Sequence, residues 1–311
     1  MNIDWTHREI IEWRRLLMSA PKANWLQSIT LAKVLKDHLG KYTRLATVVV
    51  DQKTVGMFAL QEIRIGPFHL VELFRGPVWF SENTPEDWLG QFAQLLAKEY
   101  PRSLLRRRRW LPEWSYSDHA CAQLKAAGFK PRARNYETMW IDLLLDVEEI
   151  RARLDKRWRN ALSKGLRSSL DIRIDRSGSS AAAFVDYHSK EQERKKYRGR
   201  SPSFLLDEIM AAATFKELLI IWALKDDEPV AGVMVVMHGR CGSYRAGWTT
   251  DAGRKLNAHN VMLWDAITML KQAGYRYFDL GGTVSGRGTI GLTQFKKGMG
   301  GEPLKTMGVF G

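Results

Sequence analysis

One hairpin occurs twice in this chain, and that repeat constrains the fold more than any other feature. Residues 48–60 read VVVDQKTVGMFAL and residues 223–236 read ALKDDEPVAGVMVV. Each is an apolar strand, an acidic turn, a valine, a glycine and a second apolar strand. The two glycines, Gly56 and Gly232, lie 176 residues apart. The chain has 311 residues, and domains of ~100–200 residues allow two of them. Two copies of one α/β unit fit both facts. The predicted boundary falls near Asp142–Asp146. Residues 1–142 form a first domain and 143–301 a second. Residues 302–311 are expected to return to the first.

Periodicity gives the remaining elements. Residues 4–20 have helical spacing, with Trp5, Ile10, Trp13, Leu16 and Leu17 inward, and Pro21 ends them. Trp25 to Leu39 reads as a second helix closed by Gly40. HLVELFRGPVWF continues the sheet, and Thr84-Pro85-Glu86 caps a helix to Tyr100. DHACAQLKAAG reads as helix and ARNYETMWIDL as strand. In the second half, Val147 to Leu166 reads as one long basic helix, with further helices at 181–193 and 203–214. Residues 218–250 form a strand meander. Val261 to Ala273 is an amphipathic helix, and YRYFDLGG is a buried strand entering a glycine-rich loop, Gly281 to Gly291, with Gly286 and Gly288. The class is α/β (α+β), each domain a mixed, mostly antiparallel sheet flanked by helices.

Charge narrows the partners. Lys and Arg number 48 against 34 acids, a net charge of +14. Residues 101–135 hold nine cations against two acids, and residues 151–200 hold fifteen against six. These windows carry more than the whole net charge, so an acidic partner is expected: nucleic acid, an anionic lipid surface or a phosphorylated substrate. Arg106, Arg107, Arg108 and Arg109 precede Trp110, a combination that suits phosphates and stacked bases or a headgroup interface. Lys156, Arg157, Arg159 and Lys164 stud the basic helix. Two cysteines cannot form a disulfide framework. The seven histidines show no metal-ligand spacing, so no metal is expected, and no serine-hydrolase elbow or P-loop is present. No apolar run reaches the ~18–20 residues of a membrane span. The start MNIDWTHREIIEWRR has charges where a signal peptide needs an apolar core. A cytoplasmic protein is expected, peripheral to the inner membrane face if it touches lipid.

Residues 243–282 run strand, loop, helix, strand, the core order of the GNAT N-acyltransferase fold. GNAT enzymes carry R/Q-x-x-G-x-G/A in that loop, where backbone N–H groups and the helix N-terminus cradle the coenzyme A pyrophosphate. Here the loop is Arg254-Lys255-Leu256-Asn257-Ala258-His259, with Asn257 and His259 at the two small positions. The first half has no such loop. Another acyl donor is indicated.

The chain resembles the FemABX family, aminoacyl-tRNA-dependent transferases that extend peptidoglycan stem peptides on two tandem GNAT-like domains. The resemblance rests on Trp25-Leu26-Gln27-Ser28, Arg198-Gly199-Arg200-Ser201-Pro202-Ser203-Phe204, Tyr244 to Trp248, Leu263-Trp264-Asp265-Ala266-Ile267, Phe278-Asp279-Leu280-Gly281-Gly282 and Phe295-Lys296-Lys297-Gly298. It implies that Lys296 sits near the reacting carbonyl, with Lys297 as the fallback. It implies that Arg200 and Tyr244 hold acceptor phosphates and that Lys36, or Lys33, faces the acceptor. Phe204 stands where the family often has a tyrosine. A basic groove for the tRNA acceptor arm is implied as well.

Aminoacyl transfer develops an oxyanion that Lys296 is placed to stabilise. Asp279 either orients the amine or caps its turn, and His259 is a candidate base. The expected reaction moves an aminoacyl group from aminoacyl-tRNA, a co-substrate, to an amine of a peptidoglycan precursor or related acceptor, phosphorylated or lipid-linked. No cofactor is expected. Two alternatives remain: a GNAT-type N-acyltransferase using acyl-CoA or an acyl carrier protein, and a non-enzymatic RNA- or membrane-surface-binding protein on a GNAT scaffold.

Overall fold

A computed structural model describes residues 1–6, 9–133, 136–196, 199–283 and 290–311. Arg198, Gly286 and Gly288 lie outside these. The chain divides into two compact units, Met1–Glu137 with Leu304–Gly311, and Thr138–Pro303.

The first unit begins with β1 (Asn2–Asp4), α1 (Ile10–Ser19), a 3₁₀ turn (Trp25–Gln27) and α2 (Ile29–Leu39). It continues with β2 (Tyr42–Val50), β3 (Lys53–Ile65), β4 (Phe68–Phe74), β5 (Val78–Trp79), α3 (Asp87–Glu99), β6 (Arg106–Leu111) and α4 (Asp118–Ala126). The sheet runs β1-β2-β3-β4-β6, with β5 on β3. Only the β4–β6 pairing is parallel among the described pairs. Edge-to-face aromatics fill the core in a row, Trp5, Phe58, Phe92, Trp110 and Phe129, with neighbouring centroids 5.1–5.4 Å apart. The last residues close this unit: Phe310 and Trp110 exchange N–H···O bonds at 2.7 Å in both directions.

The second unit contains β7 (Glu137–Asp142), α5 (Val147–Arg153), α6 (Lys156–Leu166), β8 (Asp171–Asp175), α7 (Ala181–Lys195) and α8 (Pro202–Thr214). Then come β9 (Leu218–Lys225), β10 (Glu228–His238), β11 (Cys241–Thr249), α9 (Asp251–Lys255), α10 (Ala258–Gln272), β12 (Tyr277–Asp279), α11 (Ile290–Lys297) and β13 (Glu302–Lys305), whose last two residues count with the first unit. Its sheet runs β13-β7-β12-β11-β10-β9-β8. Strands β11 and β12 pair in parallel over three residues only, Cys241↔Tyr277 to Ser243↔Asp279. Helix α10 is buried on most sides and packs on α6. A Cβ on Gly165 would stand 2.7 Å from Val261 and 3.2 Å from the Asn257 carbonyl, so only glycine permits that approach.

The repeated hairpins share their detail. Asp51 and Gln52 turn the first at φ 48° and 62°; Asp226 and Asp227 turn the second at 51° and 63°. Positive φ at both central residues is the two-residue turn that matches strand twist. Each repeat glycine lies opposite a tryptophan of a paired strand, Gly56 opposite Trp79 on β5 and Gly232 opposite Trp248 on β11. A Cβ on Gly56 would meet the Trp79 ring at 3.0 Å, and one on Gly232 would meet Trp248 Nε1 at 2.5 Å.

Four of the expected elements are interrupted, each by a polar side chain or a turn. The run 4–20 starts as strand: Asn2–Asp4 pair with Thr47–Val49, Asp4 accepts from the Thr6 N–H, and Ile10 is half exposed. The run 25–39 breaks at Ser28, whose hydroxyl caps α2 by accepting from Leu31 N. The run 147–166 breaks at Leu154 and Asp155, which are extended; Asp155 caps α6 through Trp158 N and donates its own N–H to Gly298 O at 2.9 Å. The strand from His69 breaks at Arg75, which takes φ 52° between β4 and β5.

Candidate active site

The cluster that carries chemistry lies in the second unit, where β11 and β12 part. Register shifts by one residue between Met234 and Val235, so Arg245 is an extra residue on β11. This bulge leaves consecutive residues Tyr244 and Arg245 both half-buried, which strict alternation would forbid. Beyond β12, Gly281 turns at φ 71°, and its position lies 3.7 Å from Lys296 Nζ and 3.5 Å from the Tyr244 carbonyl, measured from where a Cβ would sit. The turn needs glycine for its φ, and both distances are ordinary van der Waals contacts.

Lys296, in the last turn of α11, is only 6% exposed. Its Nζ donates to the Gly282 carbonyl at 2.9 Å and stands 5.7 Å from the centre of the Tyr244 ring, within cation–π range. Burial pushes its pKa from 10.5 down to about 8, and the Asp279 carboxylate pulls the other way. At pH 7 about nine-tenths of it remains an ammonium. Lys297, the next residue, is exposed. Asp279 is buried; its Oδ1 accepts from the Thr138 hydroxyl and from Gly281 N at 2.8 Å, so it caps the turn and supplies negative charge to Lys296.

Arg200 belongs to a second cluster. The fully buried Glu208 of α8 accepts from Arg200 Nη1 at 2.9 Å and from Arg245 Nε at 2.6 Å. One carboxylate therefore orients two guanidiniums. Arg200 also lies 5.9 Å from the centre of the Phe204 ring, and its charge, after burial, lowers the pKa of His188. Glu208 and Arg245 escaped sequence reasoning. The readable sign was a glutamate on the apolar stripe of Leu205, Ile209 and Ala212, where only a paired charge is tolerated.

His259 sits beside Phe295, with Nε2 2.8 Å from where a Gly247 Cβ would be and the Tyr244 hydroxyl 2.4 Å from the same point. Burial, then Lys195 and Arg254, lower its pKa to about 4, so it is neutral at pH 7 and a weak base.

The expected phosphate turn has become α9 followed by Asn257 in the left-handed region at φ 56°. The N–H groups of Gly253, Arg254, Leu256 and Asn257 donate to Thr250 Oγ1, Thr250 O, Ala252 O and Arg254 O. Donors engaged in this way are not available to a pyrophosphate. Among the described residues no cluster of three His, Cys, Asp or Glu could hold a metal.

The basic residues divide by environment. Lys156, Arg157 and Lys164 of α6 are exposed, while Arg159 reaches back to Ala152 O. The run Arg106–Arg109 is a strand, and its side chains alternate faces. Arg106 bonds His69 and Pro101 O, Arg108 bonds the carbonyls of Tyr100 and Gly128, Arg109 pairs with Glu72, and Arg107 is exposed. Lys36 is exposed in the last turn of α2, in the first unit, and Lys33 pairs with Asp37 there. Among the described residues no helix is long and apolar enough to cross a membrane.

The family model described as an acetyltransferase (GNAT) domain matches residues 149–297. No curated protein sequence matches the chain significantly. The crystal structure of FemX superposes with a TM-score of 0.81 at 17% identity, covering 100% of this chain and 96% of that one. The C-terminal domain of a putative lysylphosphatidylglycerol synthetase from Agrobacterium fabrum gives 0.57 at 14% identity, covering 97% and 90%. A tandem GNAT protein from the clavulanic acid biosynthesis pathway gives 0.53 at 10% identity, covering 97% and 93%. The chain has the FemABX-like fold, two tandem GNAT-like domains, with its family-model match in the second.

Proposed function

We propose that this protein transfers an aminoacyl group from aminoacyl-tRNA to an amine acceptor, a peptidoglycan precursor or a related molecule. The observation that carries the reading is Lys296, a buried ammonium held by Gly282 and Asp279 at the parting of β11 and β12. The acceptor amine attacks the ester carbonyl, and the carbonyl oxygen becomes an oxyanion. A desolvated ammonium beside that oxygen stabilises the charge more than water can. Collapse expels the tRNA ribose hydroxyl, which takes up the proton released by the attacking amine.

Arg200 and Arg245, fixed by Glu208, bind acceptor anions, with Tyr244 as a further acceptor contact. The exposed cations of α6 track tRNA phosphates. The engaged amides of the 253–257 turn favour a donor other than coenzyme A. The GNAT match over residues 149–297 supports the second reading, an N-acyltransferase using acyl-CoA or a carrier protein.

The test presents radiolabelled aminoacyl-tRNA, and separately acetyl-CoA, with a panel of amine acceptors. Label should move from tRNA alone. Turnover of acetyl-CoA alone selects the second reading.

A further inference from the structure

In the first unit, two exposed segments meet at one end of the sheet. The turn 64–68 (RIGPF) joins β3 to β4, and the loop 101–105 (PRSLL) leads into β6. They are neighbours: Ile65 pairs with Phe68 across the turn, and the His69 N–H donates to Leu105 O at 2.8 Å. Together they present four large apolar side chains to solvent. Leu104 is 101% exposed, Ile65 67%, Phe68 60% and Leu105 45%. A lone exposed leucine needs no explanation, but four on adjoining loops form a patch.

The loop is held in place. Arg106 donates from Nη1 to Pro101 O at 2.9 Å and from Nε to His69 Nδ1 at 3.2 Å, tying the base of one segment to the other. Exposed cations surround the patch: Arg64, Arg102 and Arg107. Arg102 and Arg106 lie close enough to add to burial in lowering the pKa of Arg108. Neither 63–71 nor 100–112 contains an acid. The nearest glutamate on β3, Glu62, accepts from the Tyr100 hydroxyl and pairs with His69.

We propose that this tip docks on an anionic phospholipid bilayer surface, with Leu104, Leu105, Ile65 and Phe68 entering the headgroup–acyl boundary and the arginines meeting lipid phosphates. Apolar side chains ringed by cations are the pattern that an anionic interface rewards. RNA would use the arginines but has little use for three aliphatic side chains, which do not stack on bases. The proposal goes beyond the transfer reaction and uses residues separate from Lys296.

The test is co-sedimentation of the full chain with vesicles of phosphatidylcholine, alone or mixed with phosphatidylglycerol. Binding is expected to the mixed vesicles and not to the neutral ones. The double variant Leu104→Ser with Leu105→Ser should weaken it by about tenfold or more, and Arg64→Gln with Arg102→Gln by a similar factor. All four side chains are exposed, so the fold is not at stake. The proposal is overturned if wild type ignores the mixed vesicles, if the leucine variant binds them unchanged, or if that variant loses tRNA binding while keeping lipid binding. Lys296→Ala should leave vesicle binding intact, so failure of the transfer reading and failure of this one are distinguishable.

Discussion

Replacing Lys296 with methionine should make the protein more stable at pH 7 and nearly inactive. A buried lysine whose pKa falls from 10.5 to about 8 carries a burial cost. A shift of that size is worth about 3 kcal/mol in the cationic form at pH 7. Methionine has the same reach without the charge, but it orphans the Gly282 carbonyl, a loss of about 1–2 kcal/mol. The net gain at pH 7 is about 1–2 kcal/mol.

The pH dependence is the sharper test. Between the folded value of about 8 and the unfolded value of 10.5, the unfolded chain binds more protons at this site. Wild-type stability therefore rises with pH across that window because of Lys296, and the cost is fully present below it. Relative to Lys296→Met, wild type should gain about 2 kcal/mol between pH 7 and pH 10. Urea denaturation of both proteins at several pH values measures this, since all other groups cancel in the difference. A difference that stays flat with pH would show that Lys296 is neither desolvated nor perturbed, and the reasoning would fail.

Glu208→Gln should destabilise the protein by about 2 kcal/mol, below the ~3–5 kcal/mol of a fully buried pair because the Arg200 side chain is 35% exposed. It should also raise KM for an anionic acceptor more than it lowers kcat, and Glu208→Asp should partly restore that KM. Gly232→Ala should cost about 2–3 kcal/mol by urea denaturation, and Gly56→Ala about 1 kcal/mol, because the added Cβ meets Trp248 at 2.5 Å but Trp79 at 3.0 Å. Equal costs would refute the idea that the tryptophan sets the difference.

The hairpin repeat was legible because its information is local: a two-residue turn opened by an aspartate, then a glycine five or six residues on. Helix breaks at Ser28 and Asp155 were not, since a cap inside an amphipathic run has the same letters as a solvent-facing residue. The β6 strand was hidden for the opposite reason. Four consecutive arginines read as a cluster for phosphates or a headgroup interface, and only the tertiary structure supplies His69, Glu72 and the Tyr100 and Gly128 carbonyls that bind three of them. Lys296 was marked through family resemblance. Its burial, its Gly282 contact and its lowered pKa required the fold. The Arg200–Glu208–Arg245 arrangement needed three elements, and a β-bulge that leaves no periodic trace.

The most direct measurement is the single-turnover rate of aminoacyl-tRNA consumption in the presence of acceptor, for wild type and Lys296→Ala, alongside the Kd for the same tRNA. The account predicts acceptor-dependent transfer by wild type and a rate lower by about 10²–10³ in the variant, with the Kd nearly unchanged. Transfer that survives the substitution at full rate, or a loss explained by weaker tRNA binding, would contradict it.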